Sequence, residues 1–107
     1  MKGVLYMSNV LHVNELEFKE LIKENNVFVD FYADWCGPCK MLGPSIEKLA
    51  DAHPEIKVVK INTDEETSLA ISYGVQSIPA LFFIKDGEVA SQQLGFVPYN
   101  TLEEMIK

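Results

Sequence analysis

Val27-Phe28-Val29-Asp30-Phe31-Tyr32-Ala33-Asp34-Trp35-Cys36-Gly37-Pro38-Cys39-Lys40 is the stretch on which the reading of this chain turns. Its first six residues are an apolar, β-rich run with one charge inside it, Asp30. Strands buried on both faces read this way, and parallel sheets bury both faces. Its last six hold the only two cysteines of the chain. Two residues separate them, so both sulfurs fall in the first turn of one helix, at a distance where a disulfide can form and break. Strand, three-residue link and helix follow one another directly. Cys36 therefore lands at a helix N-terminus, where free N–H groups and the helix dipole favour an anion. The thiolate is the reactive form of cysteine, so Cys36 is expected to be the nucleophile. Cys39, one turn further in, is expected to be more buried and to attack second. Pro38 is tolerated near the first helical position, and Gly37 has no side chain to hinder an approaching sulfur.

Asp30 is the second informative residue. Alternation puts Phe28, Asp30 and Tyr32 on one face of the strand, and Val27, Val29 and Phe31 on the other. A buried carboxylate is costly without a partner or a task. Beneath the start of the helix, Asp30 would have a raised proton affinity and could accept the proton of Cys39. Lys60 in a neighbouring strand is a candidate charge partner. A solvent-exposed strand-end aspartate is the other reading. Zinc is the rival use of the cysteines, and it needs about four ligands. Only His12 and His53 are available as further nitrogen ligands, and both are expected to lie far from the cysteines.

Around this stretch the chain alternates strands and helices. Leu11 to Val13 reads as a short first strand. Asn14 and Glu17 form a capping-box pattern that opens a helix with Leu16, Phe18, Leu21 and Ile22 as its apolar stripe. The cysteine-bearing helix extends to about Ala52, with Pro44 inside it and His53-Pro54 ending it. Ile56 to Asn62 reads as a strand, Glu65 to Tyr73 as a helix closed by Gly74, and Ala80 to Ile84 as a strand. Asp86-Gly87 is a hairpin signal leading to an antiparallel partner, Val89 to Leu94. A last helix begins around Pro98 to Asn100, with Glu103 three residues after Asn100, and runs to the chain end. The order β-α-β-α-β-α-β-β-α implies an α/β fold with one mixed sheet.

A length of 107 residues suits one small domain. Met1–Met7 is expected to be an N-terminal extension, and Met7 could be the native start. Sixteen acidic against nine basic side chains give a formal charge of −7, which argues against nucleic-acid or anionic-membrane partners. No run of about 18 apolar residues is present for a membrane span, and the first ten residues are too weakly apolar for a secretory signal. A cytoplasmic home is the expectation, where a lone C-x-x-C reads as redox chemistry or metal binding.

The run Val29 to Met41 closely resembles the active-site segment of thioredoxins. Pro44, Lys60-Ile61-Asn62-Thr63-Asp64, Tyr73-Gly74-Val75-Gln76-Ser77-Ile78-Pro79-Ala80, Lys85-Asp86-Gly87-Glu88 and Gly95 match further family segments in order, over roughly Val10 to Lys107. The resemblance implies a thioredoxin fold, with a central mixed sheet of about five strands flanked by about four helices. It implies a protein disulfide reductase, a redox carrier working through a mixed disulfide at Cys36 that Cys39 resolves with help from Asp30; Lys60, the candidate charge partner, is counted beside them as a catalytic residue. The redox pair is then a Cys36–Cys39 disulfide, with no bound cofactor or metal. The Ile78–Pro79 peptide would be cis. Trp35, Gly37, Pro38, Ile78, Pro79, Gly95 and Phe96 would line an apolar docking surface for substrate. Thioredoxin reductase as electron donor, disulfide-containing proteins as targets and a monomeric state complete the implied picture. Three positions depart from the family pattern: Tyr32 for a frequent tryptophan, Ser77 for a frequent glycine, and Pro98 at the cap of the last helix. Neither residue between the cysteines carries a charge, so the disulfide is expected to be stable and the dithiol strongly reducing. The alternative function is a thioredoxin-like binding subunit without redox turnover.

Overall fold

A computed structural model describes residues 8–107. Nine elements follow in the order β1 (Val10–His12), α1 (Glu15–Glu24), β2 (Val27–Tyr32), α2 (Gly37–Ala52), β3 (Lys57–Asn62), α3 (Thr67–Ser72), β4 (Ala80–Lys85), β5 (Glu88–Leu94) and α4 (Tyr99–Met105). The strands form one sheet in the order β1-β3-β2-β4-β5. β3 runs parallel to both β1 and β2, whereas β4 runs antiparallel to β2 and β5. The expected mixed five-stranded sheet and four helices are present, and the N-terminal extension lies outside the described residues.

Two apolar layers sandwich the sheet. Phe28, Val58, Leu81 and Phe83 face Leu42, Ile46 and Leu49 of α2 and Leu102 of α4. Val27, Val29, Phe31, Val59 and Ile61 face Phe18 of α1 and Leu69 of α3. β2 is central and buried along nearly its whole length, which is why it reads as a continuous apolar run. Each fully buried Leu, Ile or Phe contributes about 1.5–3 kcal/mol.

Local chemistry sets most element ends. Asn14 accepts from the Glu17 N–H while the Glu17 carboxylate accepts from the Asn14 N–H, a complete capping box. Asp86 and Gly87 both have positive φ, 54° and 82°, the two-residue turn whose twist suits a hairpin.

Elsewhere the tertiary context moved the boundaries. β1 begins one residue early, because Val10 pairs with Val58 and is buried. The β3 ladder starts at Lys57, since the Ile56 N–H donates back to His53 in a turn. The expected first turn of α3 is spent on Asn62, whose side chain accepts from the Asp64 and Glu65 N–H groups. Leu16 is 76% exposed: two positions before Phe18, it points away from the sheet on a helix of about 3.6 residues per turn. α4 is capped at Pro98 without a side-chain bond, so Asn100 is already inside the helix and Glu103 is free for another partner. The helix stops at Met105, short of the chain end.

Candidate active site

β2 delivers the chain to the site. After Tyr32, the Cys36 N–H donates to the Ala33 carbonyl at 3.2 Å, a tight turn that ends the strand and aims the next residues into α2. Cys36 is the N-cap, in extended conformation, and its Sγ accepts the Cys39 N–H at 3.2 Å. The first helical bond runs from the Lys40 N–H to the Cys36 carbonyl. One free N–H at the helix start is thus already aimed at the Cys36 sulfur, the arrangement that stabilises a thiolate there. Cys36 and Cys39 form a disulfide, with their Cα atoms 5.3 Å apart.

Both cysteines are nearly enclosed in this oxidised state, Cys36 at 4% exposure and Cys39 at 2%. The expected contrast in burial is therefore slight. Tyr32, Ala33 and Ile78 pack around the pair. What differs is the surroundings. Cys36 sits between exposed Trp35 and exposed Gly37 and Pro38, with the Ile78 carbonyl 3.9 Å from its sulfur. Cys39 instead lines a pocket of about 410 Å³ shared with Tyr32, Asp34, Lys60 and His12.

Asp30 is wholly buried, which removes the reading of an exposed strand-end carboxylate. Neither of its oxygens has a hydrogen-bond partner among the described residues. Burial pushes its carboxyl up to about 7, against the pull of Lys60. A carboxyl with that proton affinity exchanges protons at neutral pH. Lys60 pairs with Asp30 in the β2–β3 register, yet it forms no ion pair among the described residues. Its ammonium lies over the Tyr32 ring, 4.4 Å from the centroid. Burial also raises the Tyr32 phenol above its ordinary value, so the ring is neutral.

Of the residues expected to dock substrate, Trp35, Gly37 and Pro38 flank Cys36 along the chain, and the Ile78 carbonyl meets its sulfur. Trp35 is 71% exposed. Ile78–Pro79 is cis. The Gly95 N–H donates to the Pro79 carbonyl at 2.7 Å, tying the end of β5 to the loop before β4. Gly95 has φ +79°, a conformation that disfavours a side chain, although a Cβ there would meet no neighbour. Phe96, next in the chain, is half-exposed.

Sequence reasoning misses several neighbours. Asp64 accepts the Trp35 Nε1–H at 2.9 Å and fixes the indole on the surface; no local pattern signals a contact 29 residues away. Ile71 and Val75 extend the apolar surface in a groove of about 430 Å³ beside Trp35 and Ile78. The mixture of apolar and polar residues from Ile71 to Ile78 is the only local hint of it. His12 does not lie far from the cysteines, contrary to expectation: β1 pairs with β3, which sets His12 opposite Lys60 and on the wall of the Cys39 pocket. His53 is at the far end of α2. Among the described residues no group of three or more His, Cys, Asp or Glu side chains is placed to hold a metal, and no helix is long and apolar enough to cross a membrane.

This geometry has counterparts in known proteins. The thioredoxin family model matches residues 9–107. A thioredoxin of Mycoplasmoides gallisepticum is 41% identical over 95 residues, covering 88% of this chain and 95% of the relative. A thioredoxin of Haemophilus influenzae is 39% identical over 103 residues, covering 94% and 96%. Among solved structures, a variant thioredoxin from Halobacterium salinarum superposes with a TM-score of 0.86 at 38% identity, covering 94% of this chain and 91% of that one. The disulfide at the head of α2, the five-stranded mixed sheet and a match that spans nearly every residue lead to one conclusion: the chain belongs to the thioredoxin family.

Proposed function

We propose that this protein disulfide reductase divides its chemistry between an attacking sulfur, Cys36, and a resolving sulfur, Cys39, served by Asp30. The Cys36 thiolate attacks one sulfur of a target disulfide. An S–S bond forms between Cys36 and the target, the target's own S–S bond breaks, and its second sulfur leaves as a thiolate. The Cys39 thiol gives its proton to Asp30, and its sulfur attacks Cys36 Sγ. The mixed disulfide breaks, the target leaves with both sulfurs reduced, and two electrons have passed from the dithiol to the target. The Cys36–Cys39 disulfide remains, to be reduced again by a donor. Two observations support this reading: the disulfide at the start of α2, and the buried carboxyl of Asp30 on the strand leading to it, whose oxygens find no partner among the described residues.

Lys60 tunes the carboxyl from the neighbouring strand. Trp35, Gly37, Pro38, Ile78, Pro79, Gly95 and Phe96 form the surface against which a target strand lies. The uncharged Gly37-Pro38 pair favours a reducing dithiol. A thioredoxin reductase and disulfide-bearing proteins are the partners of this family in general. A nicotinamide-flavin donor of that kind, a cytoplasmic setting, a monomeric state and one continuous domain are the finer parts of this proposal. No observation favours the alternative of a docking subunit without turnover.

Cys39→Ser provides the test. It retains the attacking sulfur and removes the resolving one, so it should accumulate a covalent adduct with a disulfide target that dithiothreitol releases. Failure to form an adduct, or an adduct that persists when Cys36→Ser is added to the variant, would assign the attack elsewhere. Equilibration with glutathione gives the second reading: a potential at or above the glutathione poise would exclude a reductant.

A further inference from the structure

Asp30 and Lys60 face each other across parallel strands, so both side chains leave the sheet on the same face. A buried carboxylate and a lysine ammonium in that register would ordinarily satisfy each other. Here they do not. Both Asp30 oxygens lack a partner among the described residues, and the ammonium sits over the ring of Tyr32, two residues beyond Asp30 on the same strand face. The His12 ring meets the same tyrosine edge-on, with centroids 6.2 Å apart. Tyr32, Lys60 and His12 all line the pocket that reaches Cys39. A cation over a tyrosine face is stabilised by about 0.5–2 kcal/mol, more as water is excluded.

We propose that Tyr32 is a positioning residue for the sulfur chemistry: its ring seats the Lys60 ammonium and holds it off the Asp30 carboxyl, leaving that carboxyl free to take a proton beside Cys39. This rests on the role given to Asp30 above. Burial and the Lys60 charge already act on Asp30 in opposite directions, and an ammonium brought closer would pull harder. The charged and titratable groups around the site are Lys60 from β3, His12 from β1, Cys39 and Lys40 from α2, and Asp34 from the link after β2. Glu65 lines an adjoining pocket with Tyr32, Lys60 and His12. β4 contributes uncharged Leu81 opposite Asp30.

The test is an NMR titration of the Asp30 carboxyl carbon in the oxidised protein, where the cysteines do not titrate. It is carried out in a His12→Gln background. Tyr32→Phe keeps the ring and should leave the Asp30 midpoint in place. Tyr32→Leu frees the ammonium and should lower the midpoint by about one pH unit, the effect of an approaching opposite charge. In Lys60→Gln, Tyr32→Leu should produce no such fall. An unchanged midpoint in Tyr32→Leu would overturn the proposal. So would an equal fall in the Lys60→Gln background, because water entry would then be the cause. Should Tyr32→Leu not fold, the Lys60 methylene protons decide: ring-current shifts upfield support the seat, and random-coil positions exclude it. The titration needs no turnover, so an unaltered resolution rate in Asp30→Asn would remove the role of Asp30 and leave this result standing.

Discussion

At the N-terminal end of α2, Asp30 is shut away from water without one hydrogen-bond partner among the described residues. At the C-terminal end, His53 is bonded through both ring nitrogens, to Glu55 at 3.2 Å and Glu103 at 2.9 Å. The Tyr99 hydroxyl donates to the same Glu103, and the Lys48 ammonium lies over the Tyr99 ring. The helix is thus flanked by ionisable groups in opposite circumstances. At one end solvation has been removed and no protein group replaces it, so the carboxyl is poised to change protonation and the fold is weakened. At the other end each group has a partner and a share of solvent, so the contacts fasten α4 to α2. Unsatisfied burial marks the working end.

The sharpest way to break that contrast is turnover. Cys36→Ser should abolish reduction of insulin disulfides, whereas His53→Gln should leave the rate unchanged. A Cys36→Ser protein that still turns over, or a His53→Gln protein that does not, would erase the distinction.

Stability comes next in size. The folded value for Asp30, about 7, lies above its ordinary 3.8. Below about 3.8 the carboxyl is protonated in both folded and unfolded chains, and no ionisation penalty applies. As pH rises from there towards 7, only the unfolded chain gives up its proton, and the folded state loses stability. Asp30→Asn should therefore stabilise the protein above about pH 7, by roughly 4 kcal/mol at most, and the gain should vanish near about pH 4. Urea unfolding across that range measures it.

His53 has the opposite sign. Its imidazole is held above the ordinary value of 6.5, first by the bond to Glu103. Its contribution is complete below pH 6.5 and is lost as pH rises through the folded value. His53→Gln should remove that slope, with a change smaller than that at Asp30; an unchanged slope would place the pH dependence elsewhere. The smallest effect belongs to Tyr99→Phe, which deletes one hydroxyl donor to Glu103. A change within about 0.5 kcal/mol, as for other surface substitutions, is expected at any pH, and a larger one would make the C-terminal cluster a single cooperative network.

Features governed by neighbouring residues were legible in the chain itself. The Asn14–Glu17 capping box, the Asp86-Gly87 turn, the bounds of β2 and the start of α2 at the cysteines depend on groups a few positions apart. The strand alternation placed Asp30 on the side of α2. Leu16 shows the limit of a loose apolar pattern, because the stripe did not separate it from the buried Phe18. The first turn of α3 shows another: helix propensity was outweighed by Asn62, whose side chain captured the N–H groups that would have opened the helix.

The sequence by itself determined that two sulfurs stand one turn apart at a helix N-terminus behind a buried strand, since spacing and periodicity act along the chain. Only the tertiary structure decided what surrounds them. Asp64 reached Trp35, Gly95 reached Pro79, His12 joined the pocket of Cys39, and Lys60 settled on Tyr32 instead of Asp30. Each brings together residues far apart along the chain, and strand order and register, not local pattern, fix which of them meet.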